Sequence, residues 1–183
     1  QIRESNSRAF YQGFTLRTNY RRGRFYYQAY YTLSYNNSDD DNERDAGGQG
    51  AVNAYNLGEE YGRSRLDVRH LGLVNGIVNL PAGFQVSALG RWRSSRSIDP
   101  TTGSDNNGDN FRNDRAFVLP GVPFERNSFR DRAVFNTDFR VAWDAFSLLR
   151  KAFNPREGMR LLITADFFNI LNYDNVVYTS GAS

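Results

Sequence analysis

A chain of 183 residues without cysteine forms no disulfide, no thiolate metal site and no thiol nucleophile. Its 23 Lys and Arg against 20 Asp and Glu leave the charge nearly balanced, so nucleic acid is not an expected partner. Aromatic side chains make up 15% of a chain that is polar on average, which implies that aromatic and polar residues are segregated by face. No run of about 18 apolar residues is present, so no membrane helix is expected. The chain opens on Gln1-Ile2-Arg3-Glu4, without a charged-then-apolar leader, which suggests a removed signal or an interior piece of a longer protein.

Six stretches alternate with period two, the signature of strands. In the first, Phe10, Phe14, Leu16 and Tyr20 oppose Tyr11, Thr15, Arg17 and Asn19. In the second, Phe25, Tyr27, Ala29, Tyr31, Leu33 and Tyr35 oppose Tyr26, Gln28, Tyr30, Thr32 and Ser34. The third, 66–80, sets Leu66, Val68, Gly72, Val74, Val78 and Leu80 against Asp67, Arg69, Asn75 and Asn79, with Leu71, Leu73 and Ile77 blurring the contrast. The fourth sets Phe84, Val86, Ala88 and Trp92 against Gln85, Ser87, Arg91 and Arg93. The fifth sets Phe135, Thr137, Phe139, Val141 and Trp143 against Asn136, Asp138 and Arg140. The sixth, 161–168, sets Leu161, Ile163, Ala165 and Phe167 against Leu162, Thr164, Asp166 and Phe168.

These stretches are about twice the usual strand length of about 5–6 residues. At ~3.3 Å per residue and a tilt near ~40°, about 12 residues rise ~30 Å, the thickness of a bilayer's hydrocarbon core. Aromatics gather at the strand ends: Tyr20, Phe25, Tyr35, Phe84, Trp92 and Trp143. Such rings are expected at the membrane interface, where an amphipathic ring meets both apolar and wet surroundings. The connections alternate. Short turns at 21–24, 81–83 and 147–158 separate two long polar segments, 37–65 and 97–130. Outer-membrane barrels pair short periplasmic turns with long extracellular loops in this way.

The expected fold is therefore all-β: an antiparallel transmembrane β-barrel of which 1–183 form about six consecutive strands. Six strands are too few to close such a barrel, and open edges are not tolerated in lipid. A last strand running toward the long-loop side also calls for at least one returning strand. The residues opposite the lipid face, Arg17, Asp67, Arg69, Arg91, Arg93, Asp138, Arg140 and Asp166, are expected to line a polar lumen. There they either hold the wall together as cross-strand Arg–Asp pairs or contact a plug or hydrophilic substrate.

One loop invites a metal. Asp105, Asn107 and Asp109 alternate as in a calcium loop, and Asp114 adds a further oxygen. Asn110 stands where the loop's glycine belongs and Ala116 where its glutamate belongs, so this is no EF-hand. A Ca2+-holding extracellular loop and a hydrogen-bonded Asx-turn cluster both fit the pattern. The run Asp39-Asp40-Asp41 through Asp45 reads as a solvated loop tip, with Arg44, Arg63 and Arg65 as available partners. His70, the single histidine, falls on the apolar parity and reads as an interfacial packing residue. Glu59 and Glu60 would diverge if extended. No acid, base and nucleophile set assembles, so an enzyme is not expected.

Four stretches carry a family resemblance. RSRLDVRHLGLVNGIVNLPAGFQVSALGRWRSSR (63–96) resembles a hairpin of TonB-dependent outer-membrane transporters of the Oar-like type. GSDNNGDNFRNDR (103–115) resembles the family's Asp/Asn/Gly-rich loop ending in Asn-Asp-Arg, and ERNSFRD (125–131) resembles its Arg-Asn-Ser-Phe segment. ADFFNILNYDN (165–175) resembles a strand near the family's C-terminus that ends in Phe-Asn-x-x-Asn. The four occur in the family's order; before residue 63 the likeness is one of pattern alone.

The resemblance implies a barrel of about 22 strands around an N-terminal plug, with the strands here roughly the sixteenth to twenty-first. It also implies outer-membrane lipid, the chain's own plug and the TonB complex as partners, in a Gram-negative outer membrane, with uptake of an unidentified substrate as the function. The plug, the TonB box and the closing strand fall outside these residues. Two other readings remain: a non-transporting adhesion or assembly barrel, and a soluble carbohydrate-binding β-sandwich.

Overall fold

The computed structural model describes residues 7–41, 51–53, 56–148 and 159–176. Eleven strands appear among them: β1 (Ala9–Arg22), β2 (Phe25–Ser38), β3 (Gly62–Arg63), β4 (His70–Asn79), β5 (Phe84–Arg93), β6 (Ser97–Ile98), β7 (Phe117–Leu119), β8 (Val122–Pro123), β9 (Phe129–Arg130), β10 (Val134–Asp144) and β11 (Leu162–Phe167). The six long ones form one antiparallel sheet in the order β1-β2-β4-β5-β10-β11, with β3 added beside the end of β2. The fold is all-β, as the alternation predicts.

Each short connection has a local cause. Gly23 takes φ +56 in the two-residue turn between β1 and β2, a left-handed conformation that costs glycine little. Pro81–Gly83 form a single 3-10 turn between β4 and β5, with Ala82 at φ 60 and Gly83 at φ +82. The Ala82 carbonyl accepts from the Trp143 indole at 3.1 Å and from the Ser147 hydroxyl at 2.6 Å, which ties this turn to the end of β10.

Several expected boundaries move. β2 runs two residues into the segment expected to be loop from 37, because β3 folds back to pair Asn37 with Arg63 and Ser38 with Gly62. The third strand begins at His70 rather than 66, since Ser64–Asp67 close a turn in which the Asp67 N–H donates to the Ser64 carbonyl at 3.0 Å. The sixth strand is only 6 residues long and ends at Phe167. Beyond it Asn169 and Asn172 adopt φ 48 and φ 49, which a ladder cannot continue through. These are the two asparagines of the Phe-Asn-x-x-Asn motif. The expected turn at 147–158 lies almost wholly outside the described residues.

The sheet has no apolar core. Among the described residues the buried apolar side chains are Ala142 and Ala145, whereas Ser34, Ser38, Glu60, Ser64, Asp67, Ser97, Asp114, Arg115, Asn127 and Asp131 are all buried. Most of what is sequestered is polar and sits in or beside the long loops; the large apolar side chains stand on an open sheet face.

Candidate functional site

The register sorts every long-strand residue onto one of two faces. On one face the rows read Leu16–Tyr31–Gly72–Trp92–Phe135, then Thr18–Ala29–Val74–Gly90–Thr137, then Tyr20–Tyr27–Gly76–Ala88–Phe139–Phe167. No charged side chain interrupts these three rows. They are also unpartnered: Phe14, Leu16, Val74, Ile163 and Phe167 are each about half exposed or more, Val74 to 55%. The six strand-end aromatics all fall on this face. At the short-turn end Tyr20 and Phe25 lie 6.2 Å apart, and Phe84 stacks on Trp143 at 5.5 Å. At the long-loop end stand Tyr35, whose ring lies 3.6 Å beneath the Arg69 guanidinium, and Trp92. His70 packs between Tyr31 and Trp92, and its Nδ1 is 2.7 Å from the Tyr31 hydroxyl.

The opposite face is polar. Its rows include Arg17–Tyr30–Leu73–Arg91–Asn136 and Tyr26–Ile77–Ser87–Arg140–Asp166. Arg91 donates to Asp138 at 2.9 Å, and Arg140 makes a two-pronged contact with Asp166 directly across the ladder. The Gln28 amide oxygen, turned toward Arg17, accepts from its Nε at 3.0 Å. Arg17, Arg91, Arg93, Asp138, Arg140 and Asp166 therefore share one face, as their parity predicts. Leu71, Leu73, Ile77 and Leu89 sit among them, so the face is mixed rather than uniformly polar.

Asp67 and Arg69 do not join that ladder. They lie before β4, and Asp67 is 1% exposed at the centre of a loop cluster. Its carboxylate accepts from the Asn36 N–H at 3.1 Å and faces Arg63, Arg69 and Arg130 at 3.7, 3.7 and 3.3 Å. Three cations around one carboxylate offset the cost of burying that charge.

A second hub lies beside it. Asp41 accepts from the Ser64 hydroxyl at 2.6 Å, the Arg65 N–H at 2.9 Å and the Arg126 guanidinium at 2.9 Å. Burial raises its carboxyl pKa, but the hydrogen bonds from Ser64 and Arg65 and the charge of Arg126 outweigh this and hold it below the ordinary value. Arg126 also donates to the Ser38 and Glu60 carbonyls at 2.6 and 2.8 Å, and Asn127 donates to the Arg63 carbonyl at 2.6 Å. Arg115 is paired with both Glu60 and Asp99. The two long loops are thus tied together by buried charge. This corrects two expectations: Asp41 is no solvated tip, and Glu60 lies buried in a 3-10 turn, Leu57–Glu60, rather than extended. Arg44 and residues 42–45 lie outside the described residues.

In the Asp/Asn loop most of the oxygens proposed for a metal accept from the backbone, whereas the buried Asp114 Oδ1 has no hydrogen-bond partner among the described residues. Asp105 accepts from the N–H groups of Gly108, Asp109 and Asn110; Asn107 from that of Asp109; Asp109 from that of Phe111. Asp114 accepts from the N–H groups of Asn106 and Asn107. Among the described residues no three His, Asp or Glu side chains converge as metal ligands. The geometry is that of an Asx-turn cluster.

Of this polar knot between the loops, sequence reasoning did not single out Ser64, Asp99, Arg115, Arg126, Asn127 and Arg130. Asp41, Glu60 and Asp99 lie outside the stretches 63–96, 103–115 and 125–131, and the other knot residues, Arg63, Ser64, Asp67, Arg69, Asp114, Arg115, Arg126, Asn127 and Arg130, lie inside them. Motifs that look like surface charge are what the fold buries. No protein-family model, no curated protein and no solved structure matches the chain.

Proposed function

We propose that the sheet is a section of the wall of an outer-membrane β-barrel, and that the barrel is a TonB-dependent transporter. The observation that carries the reading is the pairing of faces: an apolar surface six strands wide, charged only at Arg22 on its short-turn edge, ringed by aromatics at both ends and left without a partner among the described residues, behind a mixed face that carries the Arg–Asp pairs. In water such a face would have to be covered; in a bilayer it is already solvated. The outer edges of β1 and β11 have no neighbouring strand among the described residues, so a wall in lipid needs further strands to close.

On this reading the apolar rows meet outer-membrane lipid, and Arg17, Arg91, Arg93, Asp138, Arg140 and Asp166 face the lumen, where a plug would sit. The polar knot lies on the extracellular side, as a rigid floor between the long loops. The transporter class rests on the resemblance of 63–175 to Oar-like proteins. The substrate is unidentified.

The test is made on the full-length gene product in its own host. A large barrel fractionates with the outer membrane, migrates differently before and after boiling, and cross-links to TonB. Recovery from the soluble fraction would replace the barrel by a sandwich. Outer-membrane recovery without a TonB cross-link would leave an adhesion or assembly barrel instead.

A further inference from the structure

The apolar face is not uniform. Four of the five positions in the row Leu16–Tyr31–Gly72–Trp92–Phe135 are bulky, while the next row, Thr18–Ala29–Val74–Gly90–Thr137, is small. The difference leaves a groove of about 460 Å³, walled by Leu16, Tyr31, Trp92 and Phe135 and floored by Ala29, Gly72, Val74 and Gly90. Arg91 borders it but turns its guanidinium to Asp138 on the other face.

Glycine inside a strand weakens it and marks a bulge, a bend, or a place where something approaches the backbone closely. The β4–β5 register runs unbroken from Leu71–Arg93 to Asn79–Gln85, so there is no bulge at Gly72 or Gly90. Nor does crowding demand them: a Cβ on Gly90 would meet nothing nearer than the Val74 carbonyl at 3.9 Å, and one on Gly72 only the Trp92 ring at 3.4 Å. The glycines keep the groove open.

We infer that this groove holds one acyl chain of a membrane lipid, in the leaflet on the long-loop side. The inference rests on the membrane reading above. The lining selects the occupant. A polypeptide backbone would bring N–H and C=O groups for which floor and wall offer no partner, whereas a hydrocarbon chain brings none. The groove is continuous with the apolar face, so the chain enters from lipid. Its long-loop side is bounded by the Tyr31 and Trp92 rings, which stack on His70 just beyond, with the His70–Tyr31 hydrogen bond at that rim. An apolar trough ending in a polar aromatic rim matches a lipid's own asymmetry.

The test uses the full-length protein reconstituted in dimyristoylphosphatidylcholine vesicles doped with a phosphatidylcholine that carries a diazirine in its acyl chain. After illumination, labelled residues are mapped by peptide mass spectrometry. Labelling is expected to concentrate on Leu16, Thr18 and Val74, several-fold above other residues of the same face such as Val86 and Phe139. Gly90→Leu or Ala29→Leu should each remove that excess while boiling still shifts the protein's migration. Even labelling over the whole apolar face would overturn the groove site and leave the membrane reading intact. Labelling absent from that face altogether would sink both.

Discussion

At the scale of single residues, the loop knot depends on a few side chains with no substitute. Asn127 is fully buried at φ 54 and holds the Arg63 carbonyl and Asp41 with one amide. Asn127→Ala loses those bonds and meets the left-handed penalty, together about 3 kcal/mol of local stability. Asn127→Gly should recover the backbone share, about 1 kcal/mol, and no more. Hydrogen-exchange protection of the Ser64 and Arg65 amides in the full-length protein reads both. Arg126→Ala leaves Asp41 buried without its cation and should open the same amides by about 3–5 kcal/mol. The pH dependence has a definite sign. The Asp41 carboxyl titrates lower in the folded loops than its ordinary 3.8, so its contribution is complete above that value and is lost as the pH falls through it. Protection corrected for intrinsic exchange should therefore fall below pH 3.8 in the native protein, and Asp41→Asn should flatten that step.

Among the elements, the strands were legible and their ends were not. Period-two alternation needs only the residue itself, so parity assigned all six strand-end aromatics and His70 to the face they occupy. Boundaries depend on partners far along the chain: β3 lengthens β2, and the turn at Ser64–Asp67 shortens β4. Two elements make sharp predictions. An arginine on the apolar face should cost about 2–4 kcal/mol near the bilayer midplane, whereas one on the polar face should cost little. On the proposed membrane reading, Val74→Arg should thus lower the urea midpoint or assembled yield of the full-length protein, and its neighbour Asn75→Arg should not. In the short turn, a Cβ at Gly83 would lie 2.6 Å from the Ser147 Cβ and 2.7 Å from the Asp144 carbonyl, at a φ of +82. Gly83→Ala should destabilise the β4–β5 connection by about 1–3 kcal/mol, measured by the same midpoint.

For the whole molecule, the two faces were readable from sequence because alternation is local, and the buried loop knot was not because burial is collective. Asp67 shows the difference. Its parity placed it on the lumen face, but Arg63 and Arg69 from its own segment and Arg130 from the second long loop gather round it in a loop. Likewise Asp41, in a run of acids, gives no local sign that Arg126 lies beside it. The molecule thus inverts the usual soluble plan, with charge buried in its loops and hydrocarbon displayed on its sheet. That inversion is the central claim. It is tested most directly by spin labels placed one at a time along β5, from Phe84 to Arg93, in the full-length protein in lipid vesicles. Labels at 84, 86, 88 and 92 should collide with dissolved oxygen and be shielded from a water-soluble nickel reagent, and labels at 85, 87, 89 and 91 should show the reverse. If both sets meet the nickel reagent equally, or the even set is shielded from both, the apolar face does not meet lipid and the account is wrong.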